Sequence, residues 1–223
     1  MHHIQKKILQ NLLYASELNY AKLRPAGIES NHFAYHLEQL MRDGMVAKKG
    51  KTYALTPQGL QLVDRLSQGK MAERLQPHIV TAINLQNSLG QTLLYERGFQ
   101  PYLGRCGFPL GKIHYEENIK EAAIRELHEK TGITNAILNH RGVVYLESKI
   151  QGLTISKVMY HIFDGQSQAQ PIDPDPTRGK SFWADTGQLP DYRFMPGFLA
   201  IKKLLAETKS GLFFAEICEE ISV

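Results

Sequence analysis

The sequence predicts an α/β protein in two parts: a helical domain with a β-hairpin over residues 1–70, then an α/β/α sandwich over residues 71–223. Three observations carry this. Apolar residues recur at helical spacing through most of the first seventy positions and then give way to strand-like runs. Among those runs lies one carboxylate-rich helix, with a second, apolar helix near the end. Charge divides at the same boundary: residues 1–70 carry ten Lys/Arg against five Asp/Glu, whereas residues 71–223 carry sixteen against seventeen. A chain of 223 residues is long enough for two modest cores.

In the first part, residues 3–15 place Ile4, Ile8, Leu12 and Leu13 on one helical stripe. A short helix is expected from Asn19 to Leu23, stopped by Pro25. Ser30 can cap a third helix running to about Asp43, with Phe33, Leu37, Leu40 and Met41 buried and Gly44 ending it. Two short strands, Met45–Ala47 and Thr52–Leu55, are expected to flank a turn at Lys48, Lys49, Gly50 and Lys51. Thr56 caps a last helix with Pro57 at its first position and Leu60, Leu62, Val63 and Leu66 inside. Helix–helix–helix–hairpin–helix is the order of a winged helix-turn-helix. The stretch HLEQLMRDGMVAKKGKTYALTPQG is similar to the recognition helix, wing and following helix of prokaryotic transcription regulators. That resemblance implies double-stranded DNA as a partner, with Asn31, His32 and Tyr35 facing bases and Lys48, Lys49 and Lys51 at the wing touching phosphate. The positive excess of residues 1–70 agrees with a polyanion.

Residues 67–76 read as a polar linker. Beyond them, His78–Gln86 and Gln91–Tyr95 are strand-like around the turn Asn87–Gly90. Val143–Ser148, Thr154–Phe163 and Lys180–Ala184 are further β-rich runs. Phe198–Ala206 is a terminal helix after Pro196 and Gly197, and Leu212–Val223 is apolar enough to add a strand.

The chemistry lies in Gly111–Ile133, GKIHYEENIKEAAIRELHEKTGI. At 3.6 residues per turn, Glu126, Glu129 and Lys130 share about a third of the helix circumference, with Arg125 beside them. Clustered carboxylates suit a hard divalent cation, which in turn favours phosphate. A plain amphipathic helix with a Glu121–Arg125 pair at i,i+4 is the simpler alternative. The stretch resembles the Nudix box, G-x5-E-x7-R-E-U-x-E-E-x-G-U with U a bulky aliphatic. Gly111, Glu117, Arg125, Glu126, Leu127, Glu129, Gly132 and Ile133 match; Lys130 stands where the pattern has its last acid. The surrounding segments, such as Phe108–Gly111 and Ser181–Trp183, are also similar to members of that family.

The resemblance implies a Nudix α/β/α sandwich and a hydrolase of a nucleoside-diphosphate-linked substrate of the ADP-ribose or nucleotide-sugar class. It also implies Mg²⁺ or Mn²⁺ held by Glu126, Glu129 and Glu117, with Glu126 helping to deprotonate a water and Arg125 orienting the acids. Arg97, Arg105, Gly111, Lys112 and Lys130 are the candidate contacts for the nucleotide's phosphates. Lys130 sets up the alternatives. At ~5 Å and an effective dielectric of ~20, a unit charge pair is worth about 3 kcal/mol, so an acid-to-lysine exchange opposite a divalent ion weakens metal affinity by orders of magnitude. The chain then reads either as a hydrolase with a DNA-binding domain or as a regulator that senses a nucleotide with little hydrolysis. A non-catalytic interaction protein is the third reading. Two cysteines, Cys106 and Cys218, suit a reducing cytoplasm and give no zinc pattern. No apolar run reaches the length of a membrane span, and a homodimer is the expected state.

Overall fold

The computed structural model describes residues 1–66, 75–185 and 192–221, so most of the expected linker lies outside the described residues. The chain divides into two compact units, Met1–Leu75 and Gln76–Val223.

The N-terminal unit comprises α1 (His3–Leu12), β1 (Leu18–Asn19), α2 (Tyr20–Leu23), α3 (Ser30–Arg42), β2 (Val46–Lys49), β3 (Thr52–Leu55) and α4 (Pro57–Asp64). The strands form a small antiparallel sheet in the order β1-β3-β2. Ile8, Leu9, Leu23, Phe33, Leu37 and Leu40 are buried in one core. Helices with a three-stranded sheet ending in a hairpin agree with a winged helix. Several local expectations shift. Ser30 is the first helical residue rather than the cap, which falls on Glu29 without a side-chain bond. Lys48 and Lys49 are in β2, because Lys49 pairs with Thr52 and leaves a two-residue turn at Gly50 and Lys51. Leu60 is exposed, while Thr56 does cap α4 by accepting from the Gly59 amide at 2.9 Å. The two-residue β1 escapes a periodicity reading because it is too short to alternate.

In the C-terminal unit, β4 (His78–Gln86), β5 (Thr92–Arg97), β8 (Ile137–Ile150), β9 (Leu153–Gln166), β10 (Gly179–Ala184) and β11 (Phe213–Glu220) build a sheet in the order β10-β5-β4-β9-β8-β11. The short strands β6 (Cys106–Gly107) and β7 (Leu110–Lys112) pair with β5 and β4. Two helices, α5 (Ile119–Thr131) and α6 (Phe198–Glu207), complete the unit. β4 is parallel to β9 and β11 to β8; the other pairs are antiparallel. Alternation along β4 sends Val80 and Ala82 to a core shared with Phe198 and Ile201 of α6, and Ile83 and Leu85 to a core shared with Ala123 and Leu127 of α5. The sheet is thus buried on both faces, one helix on each, which is why β4 reads as nearly continuous apolar sequence.

A register shift between His140 and Gly142 makes Arg141 an extra residue in β8. Its guanidinium bonds the Asp164 carboxylate and the Thr208 carbonyl, fastening the sheet to the end of α6. Lys202 of α6 is likewise turned inward, donating to Asn84 Oδ1 at 3.2 Å and Thr92 Oγ1 at 2.9 Å. Burial lowers its pKa.

α5 is closed at both ends. Asn118 accepts from the Glu121 amide at 3.0 Å while the Glu121 carboxylate accepts from the Asn118 amide at 3.0 Å, a reciprocal capping box. Gly132 ends the helix at φ 69°, a conformation that favours glycine. Replacing Asn118 by Ala is expected to lower the stability of this unit by about 1 kcal/mol. Urea unfolding followed by the fluorescence of Trp183, the only tryptophan, measures it; an unchanged midpoint refutes the capping account.

Candidate functional site

The loop from β7 and the α5 helix meet at Gly111. A Cβ built there would fall 1.8 Å from the Glu126 carboxylate, so the missing side chain is what lets that carboxylate lie against the loop backbone. Glu126 is 5% exposed, and a buried carboxylate requires partners. Its Oε1 accepts from Arg125 at 2.7 Å, and its Oε2 faces the Lys130 ammonium at 3.9 Å.

Arg125 organises the rest. It donates to Glu117 Oε2 at 2.8 Å and Oε1 at 2.5 Å, to the Lys112 carbonyl at 3.0 Å, and lies 3.5 Å from Glu129 Oε2. The fork-to-fork pairing with Glu117 is the strong geometry for guanidinium and carboxylate. Glu117 also accepts from the His114 amide at 2.6 Å. These contacts hold its carboxyl at about 2, with the Arg125 hydrogen bond as the main cause, and they raise the Arg125 pKa in turn. The Glu121–Arg125 pair of the simpler alternative does not form, because Glu121 is engaged in capping. Glu129 is 46% exposed.

Lys130 points inward. Its side chain is 13% exposed and its ammonium lies 5.6 Å from the centre of the Tyr95 ring. It borders a cavity of about 410 Å³ lined by Tyr95, His128, Glu129, Lys130, Pro174, Asp175 and Arg178. That volume suits a small ligand; the lining offers the Tyr95 ring and the Lys130 ammonium, while Arg178 is paired with Asp175 at 3.3 Å and Glu129 adds a second carboxylate. Arg97 and Arg105 do not line this cavity. Arg97 stacks on Phe99 at 3.7 Å and donates to its carbonyl, while Arg105 donates to the Phe194 carbonyl at 3.0 Å. Lys112 is exposed beside the loop and contributes its carbonyl to Arg125. Tyr95, Asp175 and Arg178 reach the cavity from separate segments, with no local pattern to announce them.

A family model, the NUDIX domain, matches residues 76–203. The chain belongs to the NUDIX family. Its structure is similar to the NUDIX domain of NrtR from Shewanella oneidensis, solved with ADP ribose, at 15% identity and a TM-score of 0.53, covering 61% of this chain and 91% of that one. It is similar to a MutT protein from Bacillus halodurans at 23% identity and a TM-score of 0.53, covering 64% and 90%. A MutT protein from Methanosarcina mazei Go1 gives 25% identity and a TM-score of 0.50 over 61% and 100%. The first two likenesses concern fold alone. No curated protein matches the chain.

NUDIX hydrolases generally use divalent cations, and the donor set here fits one poorly. Three carboxylates, Glu117, Glu126 and Glu129, face two fixed cations, Arg125 and Lys130, leaving one net negative charge; an acid at position 130 would leave three. Both oxygens of the most buried acid already face cations. Among the described residues no three His, Cys, Asp or Glu side chains converge on a point.

In the N-terminal unit, Asn31, His32 and Tyr35 are exposed on α3, opposite the buried Phe33 and Leu37. Tyr35 accepts from the Gln39 amide at 2.9 Å. Lys48, Lys49 and Lys51 are exposed on the β2–β3 hairpin, with the Lys48 ammonium 6.0 Å from the Tyr53 ring. Among the described residues no helix is long and apolar enough to cross a membrane, which says nothing of a β-barrel.

Glu117 has a pH consequence of definite sign. Its folded value lies below the ordinary 4.5, so the stability it contributes is present above 4.5 and is lost as pH falls toward about 2. Glu117→Gln is expected to flatten the acid limb of stability against pH in that window. An identical limb in variant and parent, followed by Trp183 fluorescence, contradicts it.

Proposed function

We propose that this NUDIX chain is a nucleotide-responsive, DNA-binding regulator. Its NUDIX domain senses a nucleoside-diphosphate-linked compound of the ADP-ribose or nucleotide-sugar class without cleaving it. The N-terminal winged helix is its DNA-binding module. The observation that carries this reading is the Lys130 ammonium beside Glu126 in the position of an acid. A fixed ammonium there opposes a divalent ion and at the same time offers a charge to a diphosphate. The cavity next to Lys130 supplies Arg178 and the Tyr95 ring for the same ligand. The ADP ribose found with the NUDIX domain of NrtR is the precedent for the ligand class.

In this reading the box residues bind and orient rather than cleave. Arg125 locks Glu117 to Glu126, keeping the loop at Gly111 closed over the helix. Lys130 and Arg178 attract the phosphates, and Tyr95 offers a face to a base or sugar. In the N-terminal unit, Asn31, His32 and Tyr35 would meet base edges, and Lys48, Lys49 and Lys51 phosphate.

A second reading, metal-dependent hydrolysis, is favoured by one feature: Glu129 is 46% exposed beside the Gly111–Glu126 junction, open to a cation that arrives with its substrate. In that case Mg²⁺ or Mn²⁺ would be held by Glu126, Glu129 and Glu117 and would activate a water.

One experiment separates the two. The regulator reading expects ADP-ribose to raise the melting temperature of the purified chain without added metal, with no product above background when Mg²⁺ or Mn²⁺ is present. Metal-dependent turnover by the unaltered chain overturns it. Lys130→Glu is expected to increase Mn²⁺ affinity by at least tenfold, read by electron paramagnetic resonance. DNA binding is tested by salt titration: replacing Lys48, Lys49 and Lys51 together by Ala is expected to weaken binding and reduce the slope of log K against log salt by about one per lost phosphate contact. An unchanged slope removes the wing from the interface.

A further inference from the structure

The face of the sheet that carries α5 holds a second chemical feature, apart from the box. His161 of β9 and His140 of β8 approach with Nδ1 of the first 3.2 Å from Nε2 of the second. The bulge at Arg141 makes this possible. His140 is paired with Phe163 and His161 with Val143, so the two rings are diagonal neighbours on one face. Arg141 itself turns away to Asp164 and Thr208. Both imidazoles are half-buried, so solvent reaches them.

An independent observation comes from the next strand. Thr81 is fully buried, and its Oγ1 is the one buried side-chain polar atom without a hydrogen-bond partner among the described residues. Thr81 is in register with His161 across the parallel β4–β9 pair. Alternation places it on the α5 face with Ile83 and Leu85. An orphaned hydroxyl in such a place calls for an unseen partner.

We propose that His140 and His161 form a binding site for a divalent ion of the zinc class, with Thr81 Oγ1 as partner to a water on that ion. The two nitrogens share a hydrogen bond at 3.2 Å; two nitrogens each 2.0–2.1 Å from a tetrahedral zinc lie about 3.3 Å apart, so an ion that displaces the shared proton needs little movement of either ring. Imidazole ligands favour zinc, nickel and copper over magnesium, which needs oxygen. With two protein ligands, the remaining positions fall to water or to an anionic ligand. Thr81 is itself paired with Gly111 on its other side, so the site lies two strand spacings, roughly 10 Å, from the loop where Glu126 packs. The inference goes beyond the proposed function and does not depend on it, since neither a nucleotide nor DNA enters the argument.

The test is calorimetric titration of the full chain with Zn²⁺. His2, His3, His32 and His36, which line one cavity of the N-terminal unit, can add background sites. The expected readout is therefore a difference: the parent binds one equivalent more than the His140→Ala/His161→Ala double variant. Glu126→Gln is expected to leave that difference intact. Equal stoichiometry in the parent and a double variant shown to be folded by circular dichroism overturns the proposal. Should the double variant not fold, anomalous scattering at the zinc edge from soaked crystals of the parent decides: a peak about 2.1 Å from both ring nitrogens supports the site, and none there refutes it.

Discussion

A single guanidinium holds the NUDIX site together. Arg125 bonds Glu117 from the loop, Glu126 from its own helix and the Lys112 carbonyl from the end of β7. Removing one partner of this partly buried ionic network leaves a charge without its counterpart. The burial of Glu126, the path of the loop and the position of α5 over β7 therefore stand or fall together. Gly111 completes the arrangement sterically, since any side chain there would occupy the space of the Glu126 carboxylate. The motif's glycine, arginine and two of its acids act as one interlocked unit whose first product is shape.

In the proposed reading, Lys130 changes what that shape is for. A carboxylate flanked by two cations has little charge left to offer a third. Phosphate, by contrast, gains from every cation that Glu126 leaves partly unneutralised. The same side chain that discourages a metal thus favours a direct anion contact, and its burial against Tyr95 keeps it from swinging away into solvent. Exposed ion pairs would be worth little in this role; the Lys130–Glu126 pair differs because both side chains are covered.

Much of this was legible from residue order. The box gave its helix and the cluster of Glu117, Arg125, Glu126 and Glu129, because helical periodicity converts spacing directly into proximity. Strands buried on both faces, such as His78–Gln86, were legible as apolar runs. Less legible were elements with too few residues to show a period: β1, β6 and β7, each two or three residues long and defined only by what they pair with. The cavity shows the same limit. Lys130 and His128 belong to the motif, but Tyr95, Asp175 and Arg178 come from other segments, joined to it only by sheet order. Arg97 and Arg105 were selected by charge and nearness in sequence, and they turn instead to Phe99 and Phe194.

The sheet explains why two chemistries can share one face. β4 is central, pairing with β7 on one side and β9 on the other. The helix α5 covers the β7 side through Glu126 and the middle through Ala123 and Leu127. The core under α5 extends to Leu138 of β8 and Phe163 of β9, and beside Phe163 the face carries the half-buried His140 and His161. A side chain at the border, Thr81, is buried by the helix yet adjoins the histidines, and it is there that a polar atom is left without a partner. Buried hydroxyls without partners cost stability, and a polar occupant between Thr81 and the imidazole pair, as proposed above, would offset that cost.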